Sequence, residues 1–360
     1  MISAETTKLR ENHQISRIIK GGWQLAGDHG SVDRASAVAD MEAFLDAGVT
    51  TFDCADIYTG VEEMIGDFIQ DVRQRRGKDV ADRICVHTKL VPDLSRLHDL
   101  THAEVEGIVD RSLKRLQIDC LSLVQFFWWD LKIGNPIKSL EILKKLQEKG
   151  KIKNLGLTNW DIEGIRPFVE NGFDIISAQV QYSILDQRPE NGLSDWAAEN
   201  NIQLLCYGSL AGGFITDKWL GKDDPGFHFE NRSLIKYRLI IDEFGSWELF
   251  QHLLQTLQLI GQKHGVSLSA VAIRYVLERP QVAAAIVGAR YARHLPKTLE
   301  AFKFTLDLED YKCLEAILDQ SRGPHGKVYG LESDRTCRHG RIMKYELNTT
   351  PDAKTLSDGA

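Results

Sequence analysis

The run Val49-Thr50-Thr51-Phe52-Asp53-Cys54-Ala55-Asp56-Ile57-Tyr58 carries a carboxylate and a phenol, and Lys89 closes a second apolar run, Ile84–Leu90. A strand ending at Asp53 and turning at Tyr58, beside a strand ending at Lys89, brings the three toward one pocket. A phenol gives up its proton near pH 10 in water, so it is a poor acid at neutral pH unless a neighbouring cation stabilises the phenolate. A buried lysine paired to an aspartate can supply that cation. The chemistry on offer is proton donation by Tyr58, with Lys89 expected to lower its pKa.

The elements that must hold these groups recur regularly. Short β-branched or apolar runs fall at Ile18–Trp23, Val49–Cys54, Ile84–Leu90, Leu121–Trp128, Asn154–Thr158, Ser177–Tyr182, Gln203–Tyr207 and Ala283–Gly288. Amphipathic stretches at Val32–Ala47, Val61–Gln74, Ala103–Gln117, Ile137–Glu148, Asp161–Glu170, Asn191–Asn200, Trp247–His264 and Leu268–Glu278 separate them. Strand alternating with helix about eight times predicts parallel pairing with right-handed crossovers and closure into a (β/α)8 barrel of TIM type. The expected layout is an N-terminal arm over 1–14 with a β-hairpin, one barrel domain over 15–322, and a polar C-terminal extension over 323–360 whose last ten residues read as disordered. The segment Gly221–Ser246, after the seventh run, is rich in Gly, Asp and charge and reads as a lid or binding loop. No G-x-G-x-x-G or P-loop pattern favours an open doubly wound sheet.

Composition narrows the partners. The 360 residues are 43% hydrophobic and 26% charged, enough for a large core, and a formal net charge of −7 argues against nucleic acid or an anionic membrane. No apolar stretch approaches the roughly 20 residues of a membrane helix. The start Met1-Ile2-Ser3-Ala4-Glu5 lacks a secretory pattern, so a cytoplasmic protein acting on a small molecule is expected, as a monomer or a homo-oligomer. Cysteines at 54, 85, 120, 206, 313 and 337 stand singly and read as reduced thiols. The histidines are scattered, without H-E-x-x-H spacing, and no metal is expected.

In such barrels chemistry sits at the C-terminal strand ends, where Asp53, Tyr58, Lys89, Phe127, Thr158, Asn159, Gln179 and Tyr207 all fall. These residues carry a resemblance. Phe52-Asp53-x-Ala55-Asp56-x-Tyr58, Thr88-Lys89, Gly156-Leu157-Thr158-Asn159-Trp160, Gln179-Val180-Gln181-Tyr182-Ser183, Tyr207-Gly208-Ser209-Leu210-Ala211-Gly212-Gly213 and Ile286-Val287-Gly288-Ala289-Arg290 occur in an order and spacing that resemble an aldo-keto reductase over residues 15 to 320.

The resemblance implies a nicotinamide-dependent reductase in which Tyr58 protonates a carbonyl oxygen as hydride arrives, Lys89 tunes it and Asp53 holds Lys89. It places Thr158, Asn159 and Gln179 on the nicotinamide carboxamide, Tyr207 against the nicotinamide ring, and Gly22, Trp23 and Asp53 beside the cofactor. Backbone amides of Gly208, Ser209, Leu210 and the Gly212 turn would approach the pyrophosphate. Gly288, Ala289, Arg290, Arg293 and His294 would open a helix over an anionic adenosine phosphate, which favours NADPH over NADH because Arg grips phosphate bidentately.

One position departs from the family pattern. Where relatives carry a histidine that donates a hydrogen bond to the substrate carbonyl, this chain has Phe127. Losing one such donor typically costs about 10² to 10³ in rate. Three readings stay open: a specialised reductase for a hydrophobic or aromatic carbonyl or related electrophile, a redox-neutral enzyme performing dehydration, isomerisation or cyclisation with Tyr58 as acid, and a non-catalytic cofactor-sensing subunit. Trp23, Phe127, Trp128 and Trp129 read as an aromatic pocket wall, with core packing an equal explanation for Trp160. His87, two residues before Lys89, reads as a buried core histidine with a proton relay as the minor alternative; Asp130 and His29 read as loop residues at the mouth.

Overall fold

The computed structural model describes residues 2–26, 33–229, 231–288 and 290–348. The turn Gly27-Asp28-His29-Gly30, Ala289 and the last ten residues lie outside them.

Two strands, β1 (Thr6–Arg10) and β2 (His13–Ser16), pair antiparallel as a hairpin. Eight parallel strands then close the barrel: β3 (Ile18–Gly21), β4 (Thr51–Asp53), β5 (Cys85–Leu90), β6 (Leu123–Phe126), β7 (Leu155–Thr158), β8 (Ile175–Gln181), β9 (Gln203–Tyr207) and β10 (Val282–Gly288). Each strand pairs with its sequence neighbours and β10 returns to β3. This is the predicted (β/α)8 architecture, and closure leaves the eight-stranded sheet without an edge.

Alternation along the strands sorts the side chains. Leu9 and Ile15 of the hairpin pack with Ile19, Leu123, Leu205, Ala284 and Ile286, so the hairpin floors the barrel at the N-terminal strand ends. Outward residues such as Phe52, Val86, Val124 and Leu204 meet the surrounding helices in one continuous core. The helices start where the sequence supplies caps. Asp33 accepts from the Ser36 N–H ahead of Arg34–Asp46, Thr101 and Glu104 form a capping box on His102–Leu116, and Asn135 caps Pro136–Glu148.

Two segments differ from their sequence reading. Gly221–Ser246 is not loop throughout: Asn231 caps a helix over Arg232–Phe244, whose Tyr237, Leu239, Ile240, Ile241 and Phe244 are buried. Its Gly- and Asp-rich first half hides this, because only the second half carries helical periodicity. The extension, which composition describes only as polar, forms short helical turns at Gly330–Ser333 and Arg338–Arg341 and crosses the barrel mouth. Glu332 reaches Arg188 beyond β8, and at the far end Asp93, beyond β5, accepts the Leu347 and Asn348 N–H groups at 2.7 and 2.8 Å.

Candidate active site

β4 and β5 pair with Asp53 opposite His87, which leaves Asp53 and Lys89 facing inward at the C-terminal ends. The Lys89 ammonium donates to Asp53 Oδ2 at 2.7 Å and to the Cys54 carbonyl at 2.8 Å, and both charged side chains are 6% exposed. Asp53 Oδ1 takes two further hydrogen bonds, from Gln179 Nε2 at 2.6 Å and Gln125 Nε2 at 3.2 Å. A buried ion pair holds only when its remaining lone pairs are occupied, and here they are. Burial opposes the charge on Lys89, but Asp53 and the Tyr58 phenol keep its pKa above the ordinary lysine value.

Tyr58 enters from the turn after β4, its N–H bonded to the Ala55 carbonyl at 3.0 Å, and its own carbonyl accepts the Val61 N–H that begins helix Val61–Arg76. Lys89 Nζ lies 5.0 Å from the Tyr58 ring centre, and the Trp23 ring packs 4.9 Å away on the same phenol. The electrostatics differ from the sequence expectation. Burial raises the Tyr58 pKa and outweighs the lowering that Lys89 provides, with Asp53 adding to the rise. The phenol is therefore held protonated, which suits a proton donor.

Phe127 follows β6 directly, its N–H donating to the Leu90 carbonyl at 3.1 Å, so its ring stands beside the end of β5. Trp129 meets it edge to face at 4.7 Å and Tyr329 of the extension does so at 5.7 Å. Trp128 does not join this wall. It points to the opposite side, packs 5.7 Å from Phe126 and donates its indole N–H to Ile133, as strand alternation requires. Trp160 sits in the same outer cluster against Phe126 and Phe168. Asp130 pairs with Arg335 of the extension at 3.8 Å.

On the other side of the mouth, Thr158 Oγ donates to Gln179 Oε1 at 3.3 Å, and the Tyr207 hydroxyl donates to Asn159 Oδ1 at 2.8 Å. Asn159 is left-handed at φ +62, as are Gly208, Ala211, Gly212 and Gly213 in the turn after β9. A Cβ on Gly208 would stand 2.7 Å from the Tyr237 hydroxyl, so both conformation and space require glycine there. Leu210 is half-buried beside this turn, and Ser209 Oγ is buried with no partner among the described residues. A buried hydroxyl at a turn rich in left-handed residues fits an acceptor group such as a phosphate. Gly22 is tied to β4 through its N–H on the Asp53 carbonyl at 2.7 Å. Past β10, Gly288 lies under the Gln24 amide, while Arg290 and Arg293 flank Tyr291 and Arg293 contacts His294. Arg293 and His294 lie in a 3-10 turn, Ala292–His294, that runs into a short helix, Leu295–Leu299. The donors, the glycine turn and the cationic end together fit a dinucleotide cofactor.

His87 is fully buried, as the sequence reading favoured, and its partner is one that reading missed. His13 of the floor hairpin lies 3.1 Å away, nitrogen to nitrogen. The 5.3 Å between ring centres is close to that contact plus two ring radii, with planes 26° apart, so the nitrogens face each other nearly in line as in an N–H···N bond. Burial lowers both pKa values, His13 to about 4 and His87 well below the ordinary imidazole value, so the pair is neutral. Cys85 lies beside them, its sulfur 3.9 Å from His13, so histidines scattered along the chain are not scattered in space. A second cluster, His264 with Asp307 and Asp310, already receives a cation, the Lys263 ammonium at 2.7 and 2.9 Å from the two carboxylates.

The comparisons agree with this geometry. The sequence model of the aldo/keto reductase family matches residues 17–319, and the chain belongs to that family. Aldo-keto reductase YhdN of Bacillus subtilis is 30% identical over 315 residues, covering 86% of this chain and 91% of that protein. The NADH-specific methylglyoxal reductase of Escherichia coli is 24% identical over 331 residues, 85% of this chain and 95% of that one. Among solved structures, the glycerol dehydrogenase AKR11B4 of Gluconobacter oxydans superposes with a TM-score of 0.74 at 25% identity, over 91% of this chain and 98% of that one. Relatives whose names give a cofactor include that NADH-specific enzyme and the aldo-keto reductase yakc [NADP(+)] of Schizosaccharomyces pombe, 30% identical over 220 residues, 59% of this chain and 63% of that one. No helix among the described residues is long and apolar enough to cross a membrane.

Proposed function

We propose that this chain is an NADPH-dependent reductase of hydrophobic or aromatic carbonyl compounds, with Tyr58 as the general acid. The observation that carries the reading is the buried Lys89–Asp53 pair aimed at a protonated Tyr58. A bound reduced nicotinamide supplies hydride to the carbonyl carbon. The Tyr58 proton passes to the carbonyl oxygen, and the phenolate left behind is stabilised by the Lys89 ammonium until it is reprotonated. Gln179 and Gln125 keep Asp53 fixed, so Lys89 does not swing toward solvent. Thr158 and Asn159 would take the carboxamide, Tyr207 the ring face, and Gly208, Ser209 and Leu210 with Gly212 the pyrophosphate. Trp23, Phe127 and Trp129 offer an apolar aromatic wall with few polar groups, which suits a flat substrate.

NADPH is favoured by Arg290 and Arg293 beyond β10, with His294 held mostly uncharged by burial and by the two neighbouring cations, Arg293 and Lys297. Fluorescence titration tests this: Arg290→Ala and Arg293→Ala should each weaken NADPH about tenfold while leaving NADH unchanged. Equal losses for both cofactors would remove the preference.

Phe127 favours a second reading, a redox-neutral enzyme in which Tyr58 protonates a substrate for dehydration, isomerisation or cyclisation, since a phenyl ring cannot steady the oxygen during hydride transfer. Oxidation of NADPH against a panel of aromatic aldehydes and quinones separates the two. Carbonyl-dependent consumption supports the reductase, and substrate change without consumption supports the alternative.

A further inference from the structure

We propose that Tyr329, carried over the mouth by the C-terminal extension, donates to the substrate oxygen the hydrogen bond that a histidine at position 127 would give. The inference rests on the reductase reading and deepens it. Phe127 leaves a gap in donor chemistry, and of the two rings packed against it, Trp129 at 4.7 Å and Tyr329 at 5.7 Å with planes 83° apart, the second is a phenol. Tyr329 is buried to all but 9%, and its hydroxyl is not among the fully buried polar atoms that lack a partner, so the oxygen keeps an opening toward the mouth. A phenol with an apolar body packed in protein and its hydroxyl at an opening can donate to an arriving group, and a substrate oxygen entering between Tyr58 and the face of Tyr207 would be such an acceptor.

The extension fixes this side chain firmly. Three residues on, Glu332 accepts two bonds from Arg188 at 3.1 and 3.2 Å. Arg188 also grips Asp186 at 2.8 and 2.7 Å, and Asp186 takes Gln181 Nε2 at 2.6 Å at the end of β8. Lys236, 3.5 Å from Glu332, lies 6.0 Å from the Tyr329 ring centre and 5.1 Å from that of Tyr207, so it links the extension to the ring expected to face the nicotinamide. Tyr329 itself adopts the left-handed conformation, φ +60, which bulky residues rarely occupy and which here turns its ring toward Phe127. Burial and the charge of Glu332 raise the Tyr329 pKa well above the ordinary phenol value, and Tyr58 adds to the rise. The group therefore stays a donor throughout. The atoms balance as in the simple reduction: hydride goes to carbon, the proton to oxygen comes from Tyr58, and Tyr329 keeps its own.

The test is single-turnover oxidation of enzyme-bound NADPH by 4-nitrobenzaldehyde in wild type, Tyr329→Phe, Phe127→His and the double variant. Tyr329→Phe should slow the step by about 10², with NADPH affinity and melting temperature unchanged because the ring remains. Adding Phe127→His to that variant should recover most of the loss, which a purely structural role would not allow. A Tyr329→Phe rate within about twofold of wild type, or a slow rate that Phe127→His does not rescue, overturns the proposal. If wild type oxidises no NADPH, the reductase reading fails separately, and binding of benzoate to the NADP⁺ complex reads the same contact. About tenfold weaker binding in Tyr329→Phe then supports it, and equal binding overturns it.

Discussion

Lys89 is costly to remove, and the reason lies in what it leaves behind. Lys89→Met strands Asp53 in a site where only two amide donors face it, and breaking one side of a buried pair typically costs about 3–5 kcal/mol. Denaturant unfolding at neutral pH should show that loss, and Lys89→Met with Asp53→Asn together should recover most of it. If the single variant is as stable as wild type, the pair is not the anchor described. The pH profile of reduction follows from Tyr58. Its pKa lies above the ordinary phenol value of 10.0, so the proton-donating form persists and kcat/KM should show no falling alkaline limb from this group below about pH 10. A falling limb near pH 8, matched by phenolate absorbance that Tyr58→Phe removes, would contradict the environment described. These groups were legible in the sequence because Asp53 and Lys89 stand at the ends of apolar runs and Tyr58 follows in the turn after the first. The partners Gln125 and His13 were not, since an inward-facing amide or imidazole inside a strand looks like any other polar residue until the barrel closes around it.

The extension is the element that sequence patterns describe least. It has neither helical nor strand periodicity, and its role depends on pairings with Arg188 and Asp93 more than a hundred residues away in the chain. Strand ends and most helix ends were readable, because caps and alternation are local. The helix Arg232–Phe244 was hidden behind a glycine- and aspartate-rich lead-in, and Trp128 was placed on the wall although alternation sends it outward once Phe127 points in. Glu332→Ala tests the strap. It leaves Arg188 with one carboxylate instead of two and frees Lys236, so the segment 324–348 should exchange its amides faster and become the first site of proteolysis while the barrel keeps its protection. Unchanged exchange would show that the Asp93 end alone holds the segment.

For the molecule as a whole, Asp56 is among the buried carboxyls that the chemistry does not use. Burial and the neighbouring Glu62 raise the Asp56 pKa from 3.8 to about 8. Below pH 3.8 folded and unfolded chains are both protonated at this group. Between 3.8 and about 8 the unfolded chain releases the proton while the folded chain retains it, so this group makes stability fall as pH rises through that window and level off above it. Asp56→Asn keeps an acceptor for the Val91 N–H and should flatten the fall in melting temperature between about pH 4 and pH 8. An unchanged slope would place the proton elsewhere.

The central claim is that hydride reaches a carbonyl carbon while Tyr58 supplies the proton. Transfer of deuterium from NADPH deuterated at the reactive C4 position to an aromatic aldehyde, followed by mass spectrometry of the product, tests it most directly. The account predicts one deuterium on the new carbinol carbon in wild type and none formed by Tyr58→Phe. A product without deuterium, made while NADPH is not consumed, would contradict it and assign the barrel to redox-neutral acid chemistry.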